Sequence, residues 1–342
     1  MTRNDNFAAS IRIMRNSLFI IVLSLLFSCS KSGNESSESL GGEAELTKVV
    51  FMTDWYPQPE HGGFYQAKVK GFYEEAGLDV EIRSGGGIRD IRPLVALGQT
   101  DLAIGTSDTT LIGRSAGLPL VALAPFFIHD PQCVMAHKSL GMNSLEDLDG
   151  KVVMMQISLS HAQYLTQVKG LKMKLIPLDF SISRFATDES FAQQCFLTSE
   201  PIQLARQGIH PDVIPLSESG FDPYRHIYSS EKFLKSSPEV AKRFIDASIK
   251  GWIDYIENDP TPGLEAIAKE NPQQKMDFML EALQAIKTHS LVNGNSEEEK
   301  AGVYKEARLR EQIEILKEIG MIDEKANFED SFAKSVLPER FH

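Results

Sequence analysis

The sequence is short of cysteine, tryptophan, positive charge and long apolar runs. Three cysteines and two tryptophans occur in 342 residues. There is no CxxC, HExxH or clustered His/Cys spacing, which argues against the common structural zinc sites. Asp and Glu number 47 against 35 Lys and Arg, for a formal net charge of −12. An acidic balance of that size argues against nucleic acid and against charge-driven binding to anionic lipid. The Gly85-Gly86-Gly87 run has neither a Walker lysine nor a GxGxxG spacing, so it reads as a turn rather than a phosphate cradle. The apolar run from Leu18 to Phe27 covers about ten residues, whereas a bilayer span needs about twenty.

That run is informative for what flanks it. Arg15 precedes it and Ser28-Cys29 follow, the layout of an export signal. Leu26-Phe27-Ser28-Cys29 resembles the lipobox of bacterial lipoproteins, which implies cleavage before Cys29 and acylation of that cysteine. An ordinary cleaved signal with an incidental cysteine is the alternative. Residues 30–45 are rich in Ser, Gly and Glu, a composition that buries little apolar surface and reads as a flexible tether. Residues 1–28 carry Arg3, Arg12 and Arg15 against Asp5, so their removal takes the net charge from −12 to about −14. Cys133 and Cys195 remain; they either pair in an oxidising compartment or stay as two buried thiols.

From Leu46 onward the composition is globular and long enough for two domains. Lys48 to Thr53, Leu78 to Arg83, Asp101 to Ile104 and Leu118 to Pro125 read as strands. Helical stretches at 64–77, 90–97 and 107–116 separate them. Tyr65, Val69, Phe72 and Ala76 form the stripe of the first helix. This β-α alternation predicts a parallel sheet with right-handed crossovers. A second unit restarts at Cys133, with strands at 133–137, 151–155, 174–178, 191–197 and 212–216. Ser158 or Ser160 is expected to cap its main helix. Beyond Pro223 the pattern is helical: Ile245, Ile249, Trp252 and Ile256 line one face, and Ser296 with Glu299 suggests a capping box opening the last long helix. The expected organisation is a signal at 1–28, a tether at 29–46, one lobe from 47–130 and 226–342, and a second lobe at 131–225. Two α/β lobes suggest a ligand held between them, at the carboxyl ends of the strands.

Three segments carry a family resemblance: Asp54-Trp55-Tyr56-Pro57, Pro59-Glu60-His61-Gly62-Gly63-Phe64-Tyr65, and Lys70-Gly71-Phe72-Tyr73-Glu74-Glu75-Ala76-Gly77-Leu78-Asp79-Val80. With Ser144 to Lys151 and Thr198-Ser199-Glu200-Pro201, they resemble the thiamine-pyrimidine-precursor family of periplasmic binding proteins. That family lies within the wider sulfonate, nitrate and taurine receptor group. The resemblance implies an α/β, type II periplasmic binding fold, a small heterocyclic ligand, and ABC permease and ATPase partners. Membrane attachment is expected through the lipid at Cys29, with no cofactor and no catalysis, and a pyrimidine synthase-like enzyme is the second alternative. Riboflavin or an alkyl sulfonate is the alternative ligand. A eukaryotic branch of the family makes the pyrimidine with a cysteine-rich CCCFC motif. This chain has Gln193-Gln194-Cys195-Phe196-Leu197 nearby, which departs from it.

Nine residues are candidate ligand contacts. Trp55 follows the first strand, where an indole can stack on a flat ring. Asp54 can accept from a ring amino group or cap the following turn. His61 stands where the family has its histidine. Thr106 and Ser107 offer hydroxyls at a helix start, and Ser158 is their counterpart in the second lobe. Phe127 can stack opposite Trp55. Glu200 can hold an aminopyrimidine edge through a charge-assisted hydrogen bond, and Tyr224 lies near the return crossing.

Overall fold

The computed structural model describes residues 45–87, 90–296 and 298–342. The expected signal, the lipidation site Cys29 and all but the last two residues of the tether lie outside them. Ten strands form two five-stranded sheets. The first, in order β2-β1-β3-β10-β4, contains β1 (Thr47–Thr53), β2 (Leu78–Ser84), β3 (Leu102–Thr106), β4 (Leu120–Phe127) and β10 (Arg225–Ser230). The second, in order β7-β6-β8-β5-β9, contains β5 (Gln132–Ala136), β6 (Val152–Met155), β7 (Lys174–Pro177), β8 (Ala192–Phe196) and β9 (Asp212–Pro215).

The first four expected strands are present, and β1 pairs parallel with β2 and β3. The purely parallel first sheet is corrected by β10, which runs antiparallel between β3 and β4. The chain therefore does not turn helical at Pro223 but first returns to the first sheet. Two further helix expectations are also corrected. The stripe from Tyr65 to Ala76 is broken into α1 (Gly62–Val69) and α2 (Phe72–Glu75) by Gly71, whose φ of 77° no side-chain-bearing residue adopts cheaply. Val69 is consequently exposed. The last long helix, α11 (Glu306–Glu318), starts ten residues after Ser296. Glu299 instead accepts the Asn295 N–H and pairs with Lys305, closing a local turn.

Between β10 and α11 lie α7 (Glu231–Ser236), α8 (Pro238–Glu257), α9 (Thr261–Glu270) and α10 (Met276–Thr288). Helix α8 packs on α1 with Ile245, Ile249 and Trp252 buried as the periodicity predicts. Trp252 stacks on Phe126 at 5.5 Å and meets Phe64 and Phe127 edge-on. The approach is so close that a Cβ on Gly63 would lie 2.2 Å from the Trp252 indole. The Gly62-Gly63 pair thus lets α1 seat against α8, and so holds His61, the residue before it, at a fixed height.

Helix α3 (Arg92–Ala96) lies between β2 and β3, α4 (Ser107–Ser115) follows β3, and α5 (Ser160–Gln163) follows β6, continuing as a π-helical turn over Tyr164–Val168. Helix α6 (Glu200–Ala205) follows β8. The chain crosses between sheets after β4 and again before β10. One carboxylate ties the two crossings: Asp222 accepts from the His129 ring at 2.7 Å and the Asp130 N–H at 2.9 Å, and pairs with Arg308 of α11 at 2.8 Å. Cys133 and Cys195 face each other across β5 and β8, with Cα atoms 4.9 Å apart, and are joined as a disulfide.

Candidate functional site

The carboxyl end of β1 carries the densest chemistry. Thr53 and Ser84 both donate to the Trp55 carbonyl, at 2.9 and 3.1 Å, and fix the backbone there. Asp54 is engaged on both sides. Arg225, at the start of β10, donates to Asp54 Oδ2, and His61 Nε2 donates to Oδ1 at 3.1 Å. Burial alone would raise this carboxyl, but the Arg225 and His61 charges and hydrogen bonds outweigh it and hold it at about 2. The turn-cap reading of Asp54 thus gives way to a fixed Arg225–Asp54–His61 constellation. His61 is buried, and its Nδ1 has no protein partner.

Beside it, Glu60 is buried and accepts from the Thr198 hydroxyl, a bond between the first sheet's connection and the end of β8. Burial pushes its carboxyl up, against the Thr198 hydrogen bond and the nearby His61 and Arg225 charges. A second bond of this kind joins the helix starts: Ser160 at the head of α5 donates to Asp108 in the first turn of α4. Asp130, fully buried at the first crossing, accepts the Gln132 N–H at 2.8 Å; burial raises it, and Arg225 and His161 pull the other way. Several polar atoms in this band are buried without partners: Asp108 Oδ1, Asp130 Oδ2, His161 Nδ1 and Arg225 Nε. His226, next to Arg225, is held neutral, its pKa lowered to about 3 by burial and by the Arg225 charge, while its ring bonds Thr110 and Tyr304.

Trp55 is half-buried. Its indole has one aromatic neighbour from its own sheet, Tyr56, edge-on at 6.0 Å. From the second sheet, Phe180 in the loop after β7 comes to 6.2 Å at a 32° tilt. Phe180 is 53% exposed and has a φ of 58°, a left-handed conformation that costs a non-glycine residue about 1–2 kcal/mol. An apolar ring held in an unfavourable backbone geometry, on the solvent side of Trp55, is the aromatic partner that sequence reasoning missed. The available signal was a lone phenylalanine amid the polar run Asp179-Phe180-Ser181.

Phe127, expected opposite Trp55, packs instead in the core against Trp252 at 5.1 Å and is fully buried. Ser107 is also fully buried: its hydroxyl donates to Gln312 at 2.8 Å and accepts the Tyr224 N–H at 3.0 Å. Tyr224 is buried beneath the Arg308 guanidinium, 3.9 Å away, with its hydroxyl on the Lys305 N–H. These three serve packing, because the buried β10 draws their surroundings into the core. Thr106 stays half-buried, sharing its hydroxyl with Thr109 at 2.8 Å in a capping box. Ser158 is exposed and does not cap α5, where Leu159 holds the cap position. Ser160 does not cap it either, since its hydroxyl reaches Asp108. Glu200 opens α6 and spends Oε2 on the Phe196 N–H at 2.8 Å, closing the turn after β8; burial raises its carboxyl. The constellation and the Trp55–Phe180 pair therefore gather Asp54, Trp55 and His61. Of the remaining candidates, Thr106, Ser158 and Glu200 stand at the heads of the surrounding helices or just before them. A cavity of about 290 Å³ is lined by His129, Leu197, Glu218 and His289 and by none of the nine candidates.

The chain belongs to the NMT1/THI5-like family, whose model matches residues 58–261. It is 26% identical over 281 residues to the formylaminopyrimidine-binding protein of Halalkalibacterium halodurans, covering 79% of this chain and 82% of that one. It is also 24% identical over 251 residues to 4-amino-5-hydroxymethyl-2-methylpyrimidine phosphate synthase THI11 of Saccharomyces cerevisiae, covering 68% and 73%. Among solved structures, the periplasmic aliphatic sulphonate binding protein SsuA of Escherichia coli superposes with a TM-score of 0.63 at 12% identity, over 83% of this chain and 91% of that one. The nitrate-binding protein NrtA of Synechocystis superposes at 0.59 and 14% identity, over 86% and 88%. The fold is the type II periplasmic binding fold found in receptors of ABC importers.

Proposed function

We propose that this protein is an exported solute receptor for an ABC importer, taking a flat heteroaromatic ligand such as a thiamine pyrimidine precursor between its two sheets. The observation that carries this reading is the Trp55–Phe180 pair. It is contributed by both sheets and stands directly beside the fixed Asp54–His61–Arg225 group. The two rings form an aromatic wall on which a flat ligand can stack, while the neighbouring polar groups fix its edge. The relative named for formylaminopyrimidine binding agrees with this ligand class. The Cys133–Cys195 disulfide supports an oxidising compartment, and Cys29 would supply the lipid anchor.

The synthase reading is favoured by the yeast relatives. Against it, Cys195 is spent in the disulfide, and the segment around it, Gln193 to Leu197, offers no other thiol. The deciding experiment is a thermal-shift screen of the chain from about residue 30 with pyrimidine precursors, thiamine, riboflavin, pyridoxal species, taurine and nitrate, since a ligand that binds only the folded state raises Tm. A shift with pyrimidines is expected. Trp55→Ala and Phe180→Ala should each weaken that ligand by roughly two- to tenfold, at about 0.5–1.5 kcal/mol per lost ring contact, without lowering the melting temperature of the free protein. Unchanged affinity in both variants would remove the stacking role. A shift only with taurine or nitrate would move the protein to the anion receptors.

A further inference from the structure

The polar band beneath Trp55 has a lopsided inventory. It holds the carboxyl groups of Asp54, Glu60, Asp108, Asp130 and Glu200, whereas the guanidinium groups around it are each paired: Arg225 with Asp54, Arg92 near Asp108 with Asp90, and Arg308 near Asp130 with Asp222. Arg225 is neutralised by its pairing with Asp54, and Glu60 and Asp130 also stand within its field. No positive excess is left to receive an anion.

The unmet hydrogen-bonding capacity calls for donors at two points and for an acceptor at one, since Arg225 Nε also lacks a partner and suits the lone pair of a ring nitrogen. Asp108 is 3% exposed and its Oδ1 has no partner; Asp130 is 0% exposed and its Oδ2 has none. An ionised carboxylate oxygen accepts, so an N–H or O–H brought from outside the protein would satisfy these two atoms, and at Asp130, which burial shifts upward, such a donor would also favour the ionised form. The two come from different elements. Asp108 is in the first turn of α4, already bridged to Ser160 of the other sheet, and Asp130 is at the first crossing, near Arg225 and His161.

We infer that the site selects a cationic, N–H-rich heterocycle and rejects ligands that carry phosphate or sulfonate. This rests on the receptor reading above and narrows it. Recognition follows from charge and from donor count: each N–H of an amino or ammonium substituent can meet a lone pair that the protein leaves open, while an added anion would meet carboxyl groups and no unpaired cation in a poorly screened interior.

The test compares three 4-amino-2-methylpyrimidines that differ only at position 5: aminomethyl (cationic), hydroxymethyl (neutral) and phosphooxymethyl (anionic). Calorimetric titration of the wild-type protein at neutral pH is expected to rank them in that order. The aminomethyl compound should bind roughly tenfold or more tighter than the hydroxymethyl one, and the phosphate roughly a hundredfold or more weaker. Asp108→Asn and Asp130→Asn keep the shape and the Ser160 and Gln132 bonds but remove charge, so each should shrink the aminomethyl-to-hydroxymethyl ratio severalfold. The wild-type ranking stands without them if either variant fails to fold. A phosphate that binds as well as the hydroxymethyl compound overturns the charge inference and leaves the heterocycle receptor intact. Failure of all three, with binding of riboflavin or taurine instead, overturns the pyrimidine reading and this inference with it.

Discussion

Replacing Asp54 by Asn removes one charge from the Arg225–Asp54–His61 group at almost constant volume. The folded-state pKa of Asp54 is about 2, against an ordinary value of 3.8. At 1.36 kcal/mol per pKa unit this favours the folded state by about 2 kcal/mol. The side chain is 26% exposed, so little of that is lost to solvent screening. The sign follows from the direction of the shift. A carboxylate depressed on folding contributes fully above about pH 4 and loses its contribution as the pH falls through about 2. Glu60, Asp130 and Glu200 are shifted upward by burial and act oppositely, favouring the folded state as they take up protons. The total stability of the wild type therefore mixes the two trends, and only the difference between wild type and Asp54→Asn isolates the constellation. Urea unfolding of both proteins at pH 7, 5, 4 and 3 should give a gap of about 2 kcal/mol at neutral pH that narrows toward pH 3. A gap below about 0.5 kcal/mol, as an exposed pair would give, or one that does not change with pH, would refute the assignment of Asp54 as a charge-stabilised anchor.

Two structural substitutions probe the supports of the site. Gly63→Ala sets a methyl group 2.2 Å from the rigid Trp252 ring; it should destabilise the fold by about 1–3 kcal/mol, and unchanged urea unfolding would mean that α1 and α8 are less closely seated than described. The Cys133–Cys195 bridge closes a loop with a sequence separation of 62, and its removal in the Cys133→Ala/Cys195→Ala protein should cost about 4 kcal/mol by the chain-entropy relation. A double variant that melts with the wild type would show that this bridge does not constrain the unfolded chain.

The first-sheet strands β1 to β4 were legible because each is a compact apolar run bounded by a helix start or a glycine, and the α8 stripe because its period is regular. β10 was not legible, for a definite physical reason. Arg225-His226-Ile227-Tyr228-Ser229-Ser230 is buried along its whole length although four of its six residues are Arg, His or Ser. These find partners far away in sequence: Arg225 on Asp54, His226 between Thr110 and Tyr304, and Ser229 on the Asp101 carbonyl at 2.5 Å. A local window sees only polarity. Losing β10 also misplaced Ser107, Phe127 and Tyr224, since all three are enclosed by the elements that β10 draws together. Trp55, Asp54 and His61 could be found because they sit in the contiguous segment just after β1. Phe180 left only a weak local signal, a lone ring in a polar run, because its place beside Trp55 depends on the second sheet.

The position of β10 has a consequence for how the chain is made. The strand belongs between β3 and β4, yet about a hundred residues and a whole second sheet intervene before it is synthesised. Until Ser230 exists, β4 with its sequence LVALAPFF and β3 with LAIGT offer bare pairing edges toward an empty slot. Two open apolar edges are what promotes intermolecular strand pairing. A growing chain of this protein is thus hazardous to itself if it collapses early. Keeping it extended until the whole length is available, as transport across a membrane before folding does, would let the late strand reach its place before another molecule takes it.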